Sequence, residues 1–365
     1  MNRVQEVTAK LDRLIEVLDA TSSDALRLRG SDWFAWATGG GSNVVLLAAE
    51  TGVAEVFVTR NGAFILTDEI EAARLALEEV VGPYVVWAHP WADLAEREAF
   101  VTAAAPGRIL SDRPAQGESH LPPEVNALRR TLREGSEIDR YRDVGVHAAR
   151  AMTEAMRSAR PDWTERDLAA AGAAALWRRG LERARVLAAG ARRGDLYRHP
   201  TVKGEPLGEW AMMVFCARGS GLYANLTRFV SFGKLDDAHA GRHTKLLRIE
   251  ARVWAATQAG ARLDEVYEAL RRAYDEVGEP QAILAHHQGG TTGYRSREIV
   301  ATPFTKDVLA PNTALAWNPS LPGAKIEDTI LLGVVGGLEV LTRDEDWPNV
   351  SAEHGVRPAI LELDG

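Results

Sequence analysis

Over residues 136–332 the apolar pattern runs twice through the same order of elements, and this repetition restricts the fold more than any other feature of the chain. In the first pass, Ser136 and Glu137 open a helical pattern that reaches about residue 160. Thr164-Glu165-Arg166-Asp167 then has the form of a capping box for a second helix. A strand over 185–189 and a hairpin-like pair over 210–217 and 222–231 follow. The second pass has helices near 244–258 and 263–277, a strand over 282–286, and strands near 313–317 and 326–332. A duplicated helix-helix-strand-hairpin unit implies an internal pseudo-twofold. It also places a site in the cleft where the two halves converge.

Ahead of the repeat the pattern differs. SDRPAQGESHLPPE, residues 111–124, holds three prolines and a glycine without periodicity, which marks a linker. Residues 1–112 alternate helix and strand. A charged amphipathic helix at the start is followed by strands over 44–47, 53–58, 64–66 and 84–87 and helices over 68–80 and 92–104. Gly39-Gly40-Gly41 lacks the ending and spacing of a phosphate loop and reads as a turn. The expected division is an α/β domain over 1–112, a linker over 113–124 and the duplicated domain over 125–365, an α+β chain.

The net charge of −8 argues against a nucleic-acid partner, and the arginines are interspersed with acids rather than gathered in a stripe. No apolar run approaches the roughly 18 residues of a membrane span, so no membrane partner is expected. A single cysteine, Cys216, leaves no intramolecular disulfide and fits a reducing, cytoplasmic setting.

Four segments resemble one family. GLYANLTRFVSFG is similar to the GYxSDITRTF segment of the pita-bread metallopeptidases, which include aminopeptidase P, prolidase, creatinase and methionine aminopeptidase. HHQGGTTGYRSRE resembles their HGxxHxxGLxxHE segment. NTALAWNPSLPGAKIEDTILL resembles the segment that contains EPG and a later IED, and GLEVLT matches the closing GxExLT. EGSEIDRYRDVGVHAARAMTEAM is similar to the family's first long helix. The resemblance implies a pita-bread C-terminal domain with internal pseudo-twofold, preceded by a smaller creatinase-type N-terminal domain. It also implies a homodimer, for which Trp33, Trp36 and Trp91 are candidate interface residues if they are not core.

The family's activity rests on two divalent metals held by two aspartates, a histidine and two glutamates. Hard cations need anionic oxygens to replace their hydration. Carried across by the resemblance, those positions hold Val214, Asn225, Gly290 and Asn318, and only the last, Glu327, remains acidic. The expected centre is therefore degenerate, with no metal and no cofactor. An unpaired buried Glu327 is costly, so Arg297 is expected to pair with it, with Arg228 in reserve.

His199 falls at a histidine that faces substrate in the family and that serves as acid–base in creatinase. As the catalytic candidate it is chemically reasonable, because histidine titrates near neutrality. His286, Arg297, Glu298 and Glu327 are the candidate substrate-binding residues. His287, pointing the opposite way on a strand, is expected to be structural. Creatinase's substrate glutamate falls near Ala251, beside Glu250, so a creatine-type substrate is not implied. Cys216 shares a strand face with Val214 and reads first as core.

Three functions follow, in order. The first is binding of a peptide or amide-like small ligand without metal-dependent cleavage. The second is metal-independent hydrolysis of a peptide or amide C–N bond, with His199 as acid–base. The third is the Xaa-Pro aminopeptidase or prolidase activity that the family resemblance by itself implies.

Overall fold

The computed structural model describes residues 2–133 and 135–364, apart from the side chain of Arg183. Met1, Glu134 and Gly365, which open or close segments named above, lie outside the described residues. The chain divides into two compact units, Met1–Arg140 with Ser220–Leu222, and Tyr141–Gly219 with Tyr223–Gly365.

The first unit opens with the helix Arg3–Thr21, started by a capping box between Asn2 and Gln5. Val7, Leu11, Leu14 and Leu18 recur at helical spacing and are buried along one stripe. A six-stranded sheet follows, from β1 (Ala25–Gly30), β2 (Thr51–Thr59), β3 (Gly62–Asp68), β4 (Val85–His89), β5 (Ile109–Ser111) and β6 (Ser119–His120). Its order is β4-β3-β2-β1-β5-β6. The helix Leu94–Ala104 lies where the sequence indicates.

β1 escapes sequence reading because Arg27 and Arg29 interrupt its apolar run. Arg27 is nevertheless buried, bonded to Glu55 at 2.5 Å and to Glu98 at 2.7 Å, and Arg29 meets Glu118 at 2.6 Å. Those partners are distant in sequence and give no local signal. One expectation is corrected here: residues 44–47 form a loop, with Val45 and Leu46 exposed. The helix expected over 68–80 is present but shorter, with Ala72–Arg74 α-helical and Leu75–Glu79 continuing as a π-helix. Trp33 and Trp36 are buried core residues in edge contact at 5.4 Å, whereas Trp91 is exposed.

The second unit contains the duplication. In its first half come the helix Ser136–Arg157, which enters this unit at Tyr141, and the helix Glu165–Trp177, capped by Thr164 and Asp167 as expected. β7 (Glu182–Gly190), β8 (Trp210–Gly219) and β9 (Leu222–Phe232) form a sheet with β19 (Leu361–Leu363), in the order β19-β9-β8-β7. In its second half the helices are Asp237–Ala256 and Leu263–Glu276. The sheet order is β11-β10-β12-β15-β16, from β10 (Gly289–Thr292), β11 (Ile299–Val300), β12 (Thr313–Trp317), β15 (Asp328–Leu332) and β16 (Leu338–Val340). A small hairpin, β13 (Ser320–Leu321) with β14 (Ala324–Lys325), interrupts the second half, and β17 (Asn349–Ala352) pairs with β18 (Gly355–Pro358).

Each half has its own core, Met152, Leu168, Met213 and Phe215 in one, Ile249, Leu270, Leu315 and Ile330 in the other. The sheets join at Thr227, whose N–H donates to the Glu327 carbonyl at 3.0 Å. The expected strand over 282–286 is corrected: Ala282–Ala285 is a 3₁₀ turn, and the strand starts at Gly289. The reason is close approach. A Cβ at Gly289 would stand 2.1 Å from the Ala316 carbonyl oxygen on β12, so this strand must open on glycine. No helix among the described residues is long and apolar enough to cross a membrane.

Candidate functional site

The antiparallel register of β7 and β8 sets Arg185 opposite Cys216 and Leu187 opposite Val214. Steps of two residues keep all four side chains on one sheet face. They line a cavity of about 30 Å³ whose other walls include His199, His287, Arg297, Asn318, Lys325 and Glu327. The β13–β14 hairpin delivers Lys325, the end of β12 delivers Asn318, and the loop before β11 delivers Arg297.

Glu327 is 2% exposed. Its Oε1 accepts from Arg297 Nη2 at 2.6 Å and its Oε2 from Thr227 Oγ1 at 2.9 Å, while Lys325 Nζ stands 3.3 Å from Oε2. Burial pushes this carboxyl pKa up, but Lys325 and Arg297 outweigh burial and hold it at about 2. The Arg297–Glu327 pair anticipated from sequence is present. Lys325 was missed as its second cation, because a lysine in a turn-rich stretch looks solvent-exposed until the hairpin folds it inward. Arg228 is not the reserve partner. It donates to Asp328 at 2.7 Å and to the Thr342 carbonyl at 3.0 Å.

His199 Nε2 and His286 Nε2 lie 2.9 Å apart, and the rings of His286 and His287 stack at 4.5 Å. The side-chain nitrogens of all three converge within 4.8 Å, a spacing at which they could hold one transition-metal ion. Burial first, then Lys325, lowers His286 to about 2. Burial and Arg297 lower His287 to about 4, and burial and Lys325 lower His199. All three rings are therefore neutral at pH 7. In the 2.9 Å contact one nitrogen must donate. His286 Nδ1 is buried without a partner among the described residues. An orphaned acceptor costs less than an orphaned donor, so the favoured tautomer has His286 Nε2–H donating to His199 Nε2. That arrangement uses the basic lone pair of His199.

The remaining sequence candidates separate clearly. Asn225 bonds Thr292 Oγ1 at 3.0 Å, and Val214 and Cys216 are buried cavity walls. Burial raises the Cys216 pKa, so the thiol stays protonated. Gly290 has φ +151°, and a Cβ there would meet the Ile299 carbonyl oxygen at 2.1 Å. Glu298 is not a cavity wall, whereas His287, expected to be structural, is one. Arg185 was not singled out, since only strand register reveals that it faces Cys216. Glu250, weighed against the creatinase pattern, is bound bidentately by Arg357.

The description of metallopeptidase family M24 matches residues 139–333. Among solved structures, an X-Pro aminopeptidase from Thermotoga maritima superposes with a TM-score of 0.78 at 18% identity, covering 97% of this chain and 100% of that one. An Xaa-Pro dipeptidase from Bacillus anthracis gives 0.79 at 17% identity, covering 98% and 100%. The N-terminal domain of FACT complex subunit SPT16 from Cicer arietinum gives 0.70 at 13% identity, covering 93% and 96%. No curated protein matches the sequence significantly. The architecture is the expected α+β arrangement, a pita-bread C-terminal domain preceded by a smaller α/β domain. With just over half of its length matched by the family description, the chain belongs to metallopeptidase family M24.

Proposed function

We propose that the chain binds a peptide or small amide-like ligand at this cavity without metal-dependent cleavage. The observation that carries the reading is the state of Glu327, whose carboxylate is already engaged by Arg297, Lys325 and Thr227. Two adjacent divalent cations need several anionic oxygens. Around Glu327, the resemblance assigns the other ligand positions to Val214, Asn225, Gly290 and Asn318, none of them anionic. No side chain fits at position 290 with this backbone, so a histidine ligand there is sterically excluded. These donors do not fit a dinuclear centre.

The second reading is metal-independent hydrolysis of a C–N bond with His199 as acid–base. The placement of His199 on the cavity wall favours it. The contact that occupies its Nε2 ranks it below binding. An Xaa-Pro peptidase activity, named for the solved neighbours, is third.

Metal analysis of purified protein, combined with an Xaa-Pro dipeptide assay with and without manganese, separates the three. Binding expects far less than one ion per chain and no cleavage. Cleavage indifferent to chelator and lost on His199→Ala establishes the second reading. About two ions per chain with manganese-stimulated turnover establishes the third.

A homodimer is proposed on the family resemblance alone. Of the three tryptophans weighed for its interface, Trp91 is exposed. Light scattering on purified protein measures it. A cytoplasmic location is proposed from the single cysteine.

A further inference from the structure

The charge balance of the cavity is uneven. Among the described residues its walls hold three cations, Arg185, Arg297 and Lys325, and one carboxylate, Glu327. Since the histidines are neutral, two positive charges are left over. Lys325 is 5% exposed, and Arg297 keeps its Nε buried without a partner among the described residues. Arg185 is exposed and forms no ion pair among the described residues. Lys325, Arg185 and Arg297 line the same cavity as His199, and each lowers its pKa while Glu327 raises it. Asn318, 1% exposed on the same wall, has a side-chain Oδ1 without a partner among the described residues. Turned over, its amide would present N–H donors instead.

We infer that this cavity takes an anion, the carboxylate group of a small organic acid or of a peptide C-terminus, held between Arg185, Arg297, Lys325 and Asn318. The inference rests on the binding reading and names its ligand class. Arg185 is solvated, so one positive charge, from Arg297 and Lys325 against Glu327, is buried without compensation and is expensive. A carboxylate offsets it while meeting the planar guanidinium fork. A volume of about 30 Å³ is room for roughly two waters. That suits a carboxylate head group whose attached chain leaves through the mouth, where Arg185 stands. The three converging histidines compete as a site for a divalent cation, but the surplus of positive charge beside them opposes cation entry.

Calorimetric titration at constant ionic strength tests this with N-acetylglycine, acetate, N-acetylglycinamide and zinc chloride as separate probes. N-acetylglycine is expected to bind and its uncharged amide not. Arg185→Gln, an exposed substitution that leaves the Glu327 pairs intact, is expected to weaken binding at least about tenfold, the loss of one charged hydrogen bond. N-acetylglycine well ahead of acetate assigns a peptide C-terminus, and equal affinity a simple carboxylate. Amide bound as tightly as acid overturns the inference and leaves the binding reading standing. An affinity unchanged in Arg185→Gln overturns it too, as does stoichiometric zinc binding that is lost on His287→Ala. Manganese-stimulated dipeptide cleavage, a separate measurement, would sink the underlying reading instead.

Discussion

Glu327 and Asp328 are consecutive and both 2% exposed, yet they belong to opposite kinds of charged cluster. Asp328 accepts from Arg228 at 2.7 Å and from Arg357 at 2.8 Å, and Arg357 also holds Glu250 and covers the Trp254 ring at 4.3 Å. Two arginines meet two acids, with Thr342 Oγ1 donating to Asp328 at 2.6 Å. That network is balanced in charge, although Arg228, Asp328 and Arg357 line a cavity of their own of about 330 Å³. Glu327 faces the other way, into a cavity where cations outnumber it. The difference teaches how to separate a structural network from a binding site when both are buried. A balanced network has met its electrostatic needs internally, whereas a surplus of one sign beside a cavity is a demand for something from outside.

The largest expected effect tests the balanced side. Arg357→Ala strands Glu250 and leaves Asp328 to Arg228 alone, so urea unfolding should show a loss of roughly 3–5 kcal/mol. A loss below about 1 kcal/mol would break the comparison at its structural end. Gly290→Ala comes next. It meets both a φ of +151° and the Ile299 carbonyl, and about 2–3 kcal/mol should be lost. A neutral result would show that the backbone yields there and reopen position 290 to a side chain.

Arg297→Ala should cost less, roughly 1–2 kcal/mol, because Lys325 stays beside Glu327. Adding Lys325→Met should deepen the loss well beyond the sum of the single effects, since only then is the carboxylate stranded. Additive losses would mean that the two cations do not share Glu327.

The smallest effect is a slope in pH. His286 and His287 have native pKa values of about 2 and 4 against 6.5 unfolded. The unfolded chain therefore binds more protons, and stability that is full above about pH 6.5 falls as the medium is acidified. Glu327, at about 2 against 4.5, adds a second loss confined to the window below pH 4.5. His286→Gln should flatten the first part of the curve and Glu327→Gln only the second. A stability curve with the same shape in both variants would separate the cavity from acid unfolding.

By itself the sequence determined the duplicated helices and hairpins, because amphipathic periods of 3.6 and 2 are local properties of the chain. It also made the family resemblance visible through motifs in order, and it paired Arg297 with Glu327 on the argument that a buried carboxylate needs a cation. It misread residues 282–286 because a short apolar run fits a turn as well as a strand, and only the closeness of β12 to Gly289 decides. It missed β1 because the carboxylates that bury Arg27 and Arg29 lie far along the chain. Tertiary structure alone brought Arg185 and Lys325 to one cavity, turned Arg228 to Asp328 and set His286 against His199. Which charges meet depends on strand register and on the turn of a hairpin. Those are set by packing between distant segments, and a charge surplus exists only once such segments have been brought together.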